Sequence, residues 1–289
     1  MKRTSLIEPA LPRPRLLAAA LAVLCLLGGA LCAGAAETAP LVIAGTGDSE
    51  ELLRTLAARF MRDNPDTRIE VPDSVGSTAG IKAVLSGKAE LARTARPLRD
   101  EEKAQGLTEL VFAKAPVIFA VNPSVTGVES LTPRQILDIF SGQVADWSAL
   151  GGPAGPIHKV CRETPETSRD VLGAAIPGFE ALGCQGQAVA YSTPEAVKLA
   201  ADNPGTIGYF ARPAMATTKL RALAYDGAAP SPENLARERY PLFIPFALVY
   251  KPPLSPTAAR FVTALGLPDG RTALANYGCL PLPVKAATP

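Results

Sequence analysis

Histidine is almost missing from this chain: one residue, His158, in 289. A Ser–His–Asp triad would have to use it, yet it stands in "GPIHKV" with no G-x-S-x-G elbow anywhere. There is no H-E-x-x-H, and the cysteine spacing matches no zinc pattern, so no metal or other cofactor is expected. Charge is scarce as well, at 19% of residues, and the net excess is only +2. That excess sits at the start. Residues 1–35 hold four basic residues and one acid, which leaves the remainder near −1. Without a basic field, nucleic acid and anionic lipid are excluded as partners, and any anion site must be local. No repeat or low-complexity tract interrupts the sequence.

What is present begins with a leader. "MKRTSLIEPALPRPR" is followed by "LLAAALAVLCLLGGALCA" and the small-residue exit "AGA" at 33–35. A basic stub, an apolar run and a small-residue exit describe a secretory signal peptide over 1–35, and hence a periplasmic protein. An uncleaved anchor is the alternative, because the run approaches the ~18 residues of a membrane span. A lipoprotein is disfavoured, since Leu24 and Leu31 precede the two leader cysteines. Cleavage leaves Cys161, Cys184 and Cys279. Export permits a disulfide. Cys161–Cys184 is the expected pair, closing a loop of ~23 residues and contributing ~3 kcal/mol; three buried free thiols are the alternative.

Two kinds of segment alternate through the rest. "LVIAG" (41–45), "RIEV" (68–71), "VIFAV" (117–121), "TIGYF" (206–210) and "LFIPFALVY" (242–250) read as buried strands. Helical periods lie between them. Leu52, Leu53, Leu56 and Phe60 share a face behind the N-cap candidate Ser49, and Ile81, Val84 and Leu85 do so in the next helix. "TPRQILDIFSG" starts on Thr132 with Pro133 behind it and ends at Gly142, and the same syntax recurs from Thr193. Alternating strands and helices imply an α/β fold with largely parallel sheets. Glycine and hydroxyl residues gather where strands hand over to helices, in "AGTGDS" and "SVGSTAG". Such junctions aim backbone N–H groups and positive helix ends at one region, where open α/β sheets bind ligands.

Here the chain resembles the phosphate-type substrate-binding proteins of ABC transporters, the PstS-like periplasmic group. "LTPRQILDIFSGQVADWSALGG" (131–152) carries the likeness most strongly, joined by "GSTAGIKAVLSGKAELARTARPL" (76–98), "NPGTIGYF" (203–210) and "YGCLPLP" (277–283). The resemblance implies a two-lobed periplasmic-binding-protein fold of type 2. Each lobe would be a mostly parallel sheet flanked by helices, joined by a hinge of two crossovers. Lobe 1 would comprise 36–121 and 240–289, and lobe 2 would comprise 122–239. It further implies a monomer that holds a small inorganic oxyanion, phosphate first, between lobes closing by hinge motion, and delivers it to an ABC permease. Trp147, Tyr191, Tyr209 and Phe210 are read as packing residues.

Position by position, the resemblance puts the anion site on eleven residues. The first loop supplies Thr46 with Asp48 or Ser49, and Ser77 caps the second loop's helix ahead of Thr78. After the strand come Thr94 and Arg96, but Ala95 lacks the hydroxyl or carboxylate expected there. The family's next loop reads Arg, two residues, Gly-Ser-Gly-Thr-Arg. Here Arg162 and Arg169 bracket Pro165, Glu166, Thr167 and Ser168. Proline has no amide hydrogen to give. Glu166 would set a full negative charge beside the ligand. Two unit charges ~4 Å apart at an effective dielectric of ~20 repel by ~4 kcal/mol, about three decades of affinity. Three accounts stand open. Glu166 pairs with Arg162, Arg169 or Arg96 and leaves no empty anion site, so that the ligand is something else or nothing; or it points outward and leaves Arg162, Thr167 and Ser168 to an anion; or it takes a hydrogen bond from a protonated oxyanion. The acids Asp48, Glu50 and Glu51 push the same way as Glu166. Arg96, Ser77 and Ser168 are expected to converge on one cavity. Two other classes are kept: a sensor or protein-interaction module with a degenerate anion site, and a secreted hydrolase.

Overall fold

The computed structural model describes residues 39–184 and 186–284, so the leader lies outside the described residues. The chain opens with β1 (Leu41–Gly45), α1 (Glu50–Asp63), β2 (Ile69–Glu70), α2 (Gly76–Leu85), β3 (Leu91–Thr94) and α3 (Asp100–Lys103). Then come β4 (Thr108–Val121), β5 (Ser130–Leu131), α4 (Pro133–Ser141), β6 (His158–Arg162), α5 (Thr167–Ala175), β7 (Ala188–Ala190), α6 (Thr193–Asp202) and β8 (Thr206–Ala211). The chain continues through β9 (Arg221–Ala222), β10 (Ala224–Tyr225), α7 (Pro232–Ala236), β11 (Phe243–Tyr250), α8 (Pro256–Gly266), α9 (Pro268–Asn276) and β12 (Leu280–Pro281).

One large sheet runs β2-β1-β3-β11-β4-β8-β6-β7. Its two outer groups, β2-β1-β3 and β8-β6-β7, are parallel, as βαβ crossovers demand. The two central strands run antiparallel to their neighbours. β4 joins the groups: Thr108–Pro116 pairs with β11, and from Val117 onward it pairs with β8. The sequence reading took only 117–121 as strand. The earlier half escaped it because its first four residues are only partly buried and it includes the charged residues Glu109 and Lys114.

The helices form where their apolar stripes demand. α1 buries Leu52, Leu53, Leu56 and Phe60 as expected. α4 begins with a capping box between Thr132 and Gln135 and stops at Gly142, whose φ of 85° suits a residue without Cβ. Gly45 is required for a different reason: at φ 144° a Cβ there would lie 2.0 Å from the Arg93 carbonyl oxygen. Trp147 is buried, and its indole N–H donates to the Gly205 carbonyl at 2.9 Å. Tyr209 and Phe210 are buried as well, whereas Tyr191 is 67% exposed, against the packing role expected of it. Cys161 and Cys184 are joined by a disulfide with Cα atoms 5.7 Å apart, and Cys279 is a buried free thiol. No helix among the described residues is long and apolar enough to cross a membrane.

Candidate functional site

Five strand–helix junctions meet at a cleft of about 280 Å³. From β1, Thr46 leads into a short 3-10 turn, Gly47–Ser49. The Thr46 hydroxyl donates to Asp48 Oδ2 at 2.7 Å and accepts the Asp48 amide at 3.3 Å, which fixes the acid inside the turn. Gly47 lets this turn press on the start of α6, where a Cβ would come within 2.5 Å of Pro194 Cδ. From β2, Ser74 to Thr78 form the second wall. Ser77 lies inside α2 rather than capping it: Val75 holds the cap position, and the Ser77 hydroxyl accepts the Ala95 amide at 3.2 Å. That bond ties the α2 start to the end of β3.

The third junction delivers Arg96, already bound to protein. Its guanidinium takes both carboxylate oxygens of Glu102, at 2.8 and 2.7 Å, and donates to Thr78 Oγ1 at 3.1 Å. The hydrogen bonds that Arg96 donates to Glu102 raise the Arg96 pKa and, reciprocally, lower that of Glu102. The fourth junction is the "RETPETSR" loop after β6, and the fifth is the start of α6 after β7. Glu166 is the N-cap of α5, its Oε2 accepting the Arg169 amide at 2.8 Å, and its Oε1 lies 3.5 Å from Arg162 Nη1. Glu166 thus makes the Arg162 pairing of the first account, while a cleft remains open beside the pair. Arg162 also donates to Thr193 Oγ1 at 3.2 Å and to the Ala190 carbonyl at 3.3 Å. Thr193 in turn donates to Asp48 Oδ1 at 3.0 Å across the cleft. A chain of contacts therefore runs Thr46–Asp48–Thr193–Arg162–Glu166.

Thr46, Asp48, Ser77, Thr78, Arg96, Arg162, Glu166 and Thr167 line the cleft together. Ser49, Thr94 and Ser168 do not. All three are buried behind the wall, and their hydroxyls have no hydrogen-bond partner among the described residues. So Arg96 and Ser77 share a cavity, but Ser168 stays outside it: as the second residue of α5 it turns its side chain into the core. Ser49 occupies the cap position of α1 without making a cap bond, because the turn ahead of it is closed by Thr46. Sequence reasoning missed Thr193, which it took as the α6 cap. Ser192 is the cap, and that one-residue shift frees the Thr193 hydroxyl for Asp48 and Arg162. Tyr191, on the rim, was missed with it.

Three arginines (Arg96, Arg99, Arg162) face four carboxylates (Asp48, Glu163, Glu166, Asp170) around the lining. Burial pushes the Glu166 carboxyl up; Arg162 opposes this, and Asp48 adds to it. A larger groove of about 600 Å³ between α1 and α8 is mostly apolar. Its arginines are held at the rim, Arg59 by Asp269 at 2.6 Å and Arg260 by Asn64 and Thr67. Convergent donors of the kind that hold a small polar ligand occur in the cleft, not there.

Parallel sheet groups joined through β4 and β11, with strand–helix junctions converging on one cleft, define a two-lobed α/β binding protein. Residues 33–265 match the PBP superfamily domain, and the chain belongs to that family. The phosphate-binding protein PstS of Bacillus subtilis is 30% identical over 207 residues, covering 70% of this chain and 67% of that protein. A putative phosphate ABC transporter substrate-binding protein from Clostridium perfringens, solved with bound phosphate, is 27% identical. It superposes with a TM-score of 0.72 over 84% of this chain and 99% of its own. An ABC-type phosphate transport receptor from Vibrio cholerae shares the fold, at a TM-score of 0.59, 24% identity, and coverage of 83% and 99%. PstS-type proteins are thus the relatives of this chain within the superfamily.

Proposed function

We propose that this protein is a periplasmic solute-binding protein that takes phosphate, or a related small oxyanion, in the cleft and presents it to an ABC permease. The observation that carries the reading is the convergence of hydroxyls, helix starts and Arg162 on one cleft, in a chain whose relatives are PstS-type proteins. The arrangement suits binding rather than catalysis. Among the described residues the cleft lining holds no histidine or cysteine, its Thr46 and Thr193 hydroxyls are both bonded to Asp48, and His158 lies on the exposed start of β6. The working division assigns 36–121 with 240–289 to lobe 1 and 122–239 to lobe 2, closing as a monomer around the anion. The basic, then apolar leader supports export to the periplasm.

A second reading has its own support. Arg96 and Arg162 are both paired with carboxylates of the chain, as a degenerate site kept for sensing or protein interaction would have them. Calorimetry on ligand-stripped protein with phosphate, arsenate, sulfate, molybdate and tungstate separates the two. Saturable binding of phosphate is the expected result. Absence of binding for all five anions, at acid and at neutral pH, would rule out the transport reading.

A further inference from the structure

We propose that Glu166 is a tethered anion: its carboxylate takes the helix-start amide and the arginine that a bound oxyanion would take, so the cleft admits its anion by protonating or displacing Glu166 and binds more tightly as the medium turns acidic. The inference rests on the oxyanion reading above and specifies how that site is regulated.

The contacts are those of an anion at a helix N-terminus. α5 is nine residues long, and Glu166 accepts the amide of its third residue, Arg169, while facing the Arg162 guanidinium. The Glu166 side chain is 7% exposed, so the carboxylate lies within the cleft wall rather than in solvent. The other side-chain contacts of Arg162 are neutral, the Thr193 hydroxyl and the Ala190 carbonyl. An arriving oxyanion therefore has to compete with Glu166 for Arg162 and for the head of α5. It also meets Asp48, which is held against Thr193 on the opposite wall.

The groups that face Glu166 decide the direction of the pH effect. Arg162 comes from β6 and favours its ionised form, and Asp48 from the first turn disfavours it. Tyr209 from β8 is held neutral by burial and accepts the Arg162 amide at 3.1 Å. On its own helix, the Arg169 guanidinium is engaged by the Leu182 carbonyl and the Cys161 sulfur. Burial is the largest influence, and it favours the neutral acid. As pH falls, the proton adds to a Glu166 oxygen at a higher pH than on an exposed glutamate, normally ~4.3. The charge opposing the anion disappears, Arg162 is released, and the new O–H can donate to an anion oxygen. No other reactant is needed.

The test compares wild type with Glu166→Gln, which keeps an oxygen to cap α5 but carries no charge. Inorganic phosphate is titrated by calorimetry at pH 5, 6, 7 and 8. The ratio of the two dissociation constants at each pH cancels the ionisation of phosphate itself. Glu166→Gln is expected to bind on the order of 100–1000-fold tighter at pH 8, the range set by one nearby charge, with the ratio shrinking as pH falls. A ratio near unity throughout, or one independent of pH, overturns the proposal and leaves the oxyanion reading intact. No binding by either protein at any pH overturns both. Wild type alone gives a second measurement should the variant fold poorly. Its affinity for sulfate, whose charge is constant over this range, should rise by up to about tenfold per pH unit as pH falls. A flat profile would overturn the proposal.

Discussion

Replacing Arg93 by methionine tests what positions the first wall of the cleft. Arg93 is fully buried, and its guanidinium donates to the carbonyls of Thr46 at 2.7 Å, Pro72 at 2.7 Å and Ile43, and to Glu50 at 3.2 Å. It thereby ties the end of β1, the segment after β2 and the start of α1 to β3. Methionine fills much the same space but gives no hydrogen. The Ile43 and Thr46 carbonyls lose these bonds in a buried setting, at ~1–3 kcal/mol each. Glu50 loses one buried partner but keeps Arg54 at 2.8 Å, so its share is smaller. The expected loss is ~3–5 kcal/mol, read as a fall of roughly 1–2 M in the urea midpoint at unchanged slope. Adding Glu50→Gln to Arg93→Met should recover part of it, because the second change removes the half-compensated acid. Phosphate affinity should fall too, although Arg93 does not line the cleft. A loss below ~1 kcal/mol would refute the reasoning, since it would mean water reaches those carbonyls as well as arginine does.

Replacing Cys161 and Cys184 together by serine removes a link that spans 23 residues. This should cost ~3 kcal/mol in urea unfolding, and reduction of the wild type should give the same drop; an unchanged midpoint would contradict it. Trp147→Phe removes the donor to Gly205 and part of a packed ring. It should destabilise by ~1–3 kcal/mol in a thermal melt while leaving phosphate affinity unchanged, because Trp147 is absent from the cleft lining.

The sequence disclosed what is local and withheld what depends on folding at a distance. α4 was readable end to end because its cap, its first proline and its terminal glycine are adjacent in the chain. The start of α6 was missed by one residue because serine and threonine are both good caps. Only the contact from Asp48, 145 residues away, shows which hydroxyl is free. Arg93 left no signal either: one arginine in "LART" looks like a solvent-facing strand residue, and nothing in the sequence announces the carbonyls that surround it. Glu166 lies between these cases. Its charge was legible as an intrusion into an anion loop, but its fate was not. A carboxylate beside a helix start either repels an anion or replaces it, and choosing between them needs the 2.8 Å contact to the Arg169 amide. The same holds for Arg96, whose identity suggested a free cation until Glu102, six residues on, was found to claim both ends of its guanidinium. The two cationic residues that the resemblance marked for an external anion are thus each held by a nearby acid of the chain. One of those acids, Glu166, stands within the cleft lining itself. On the proposed reading, affinity would be governed less by how many donors converge than by how readily the chain's own carboxylates give them up.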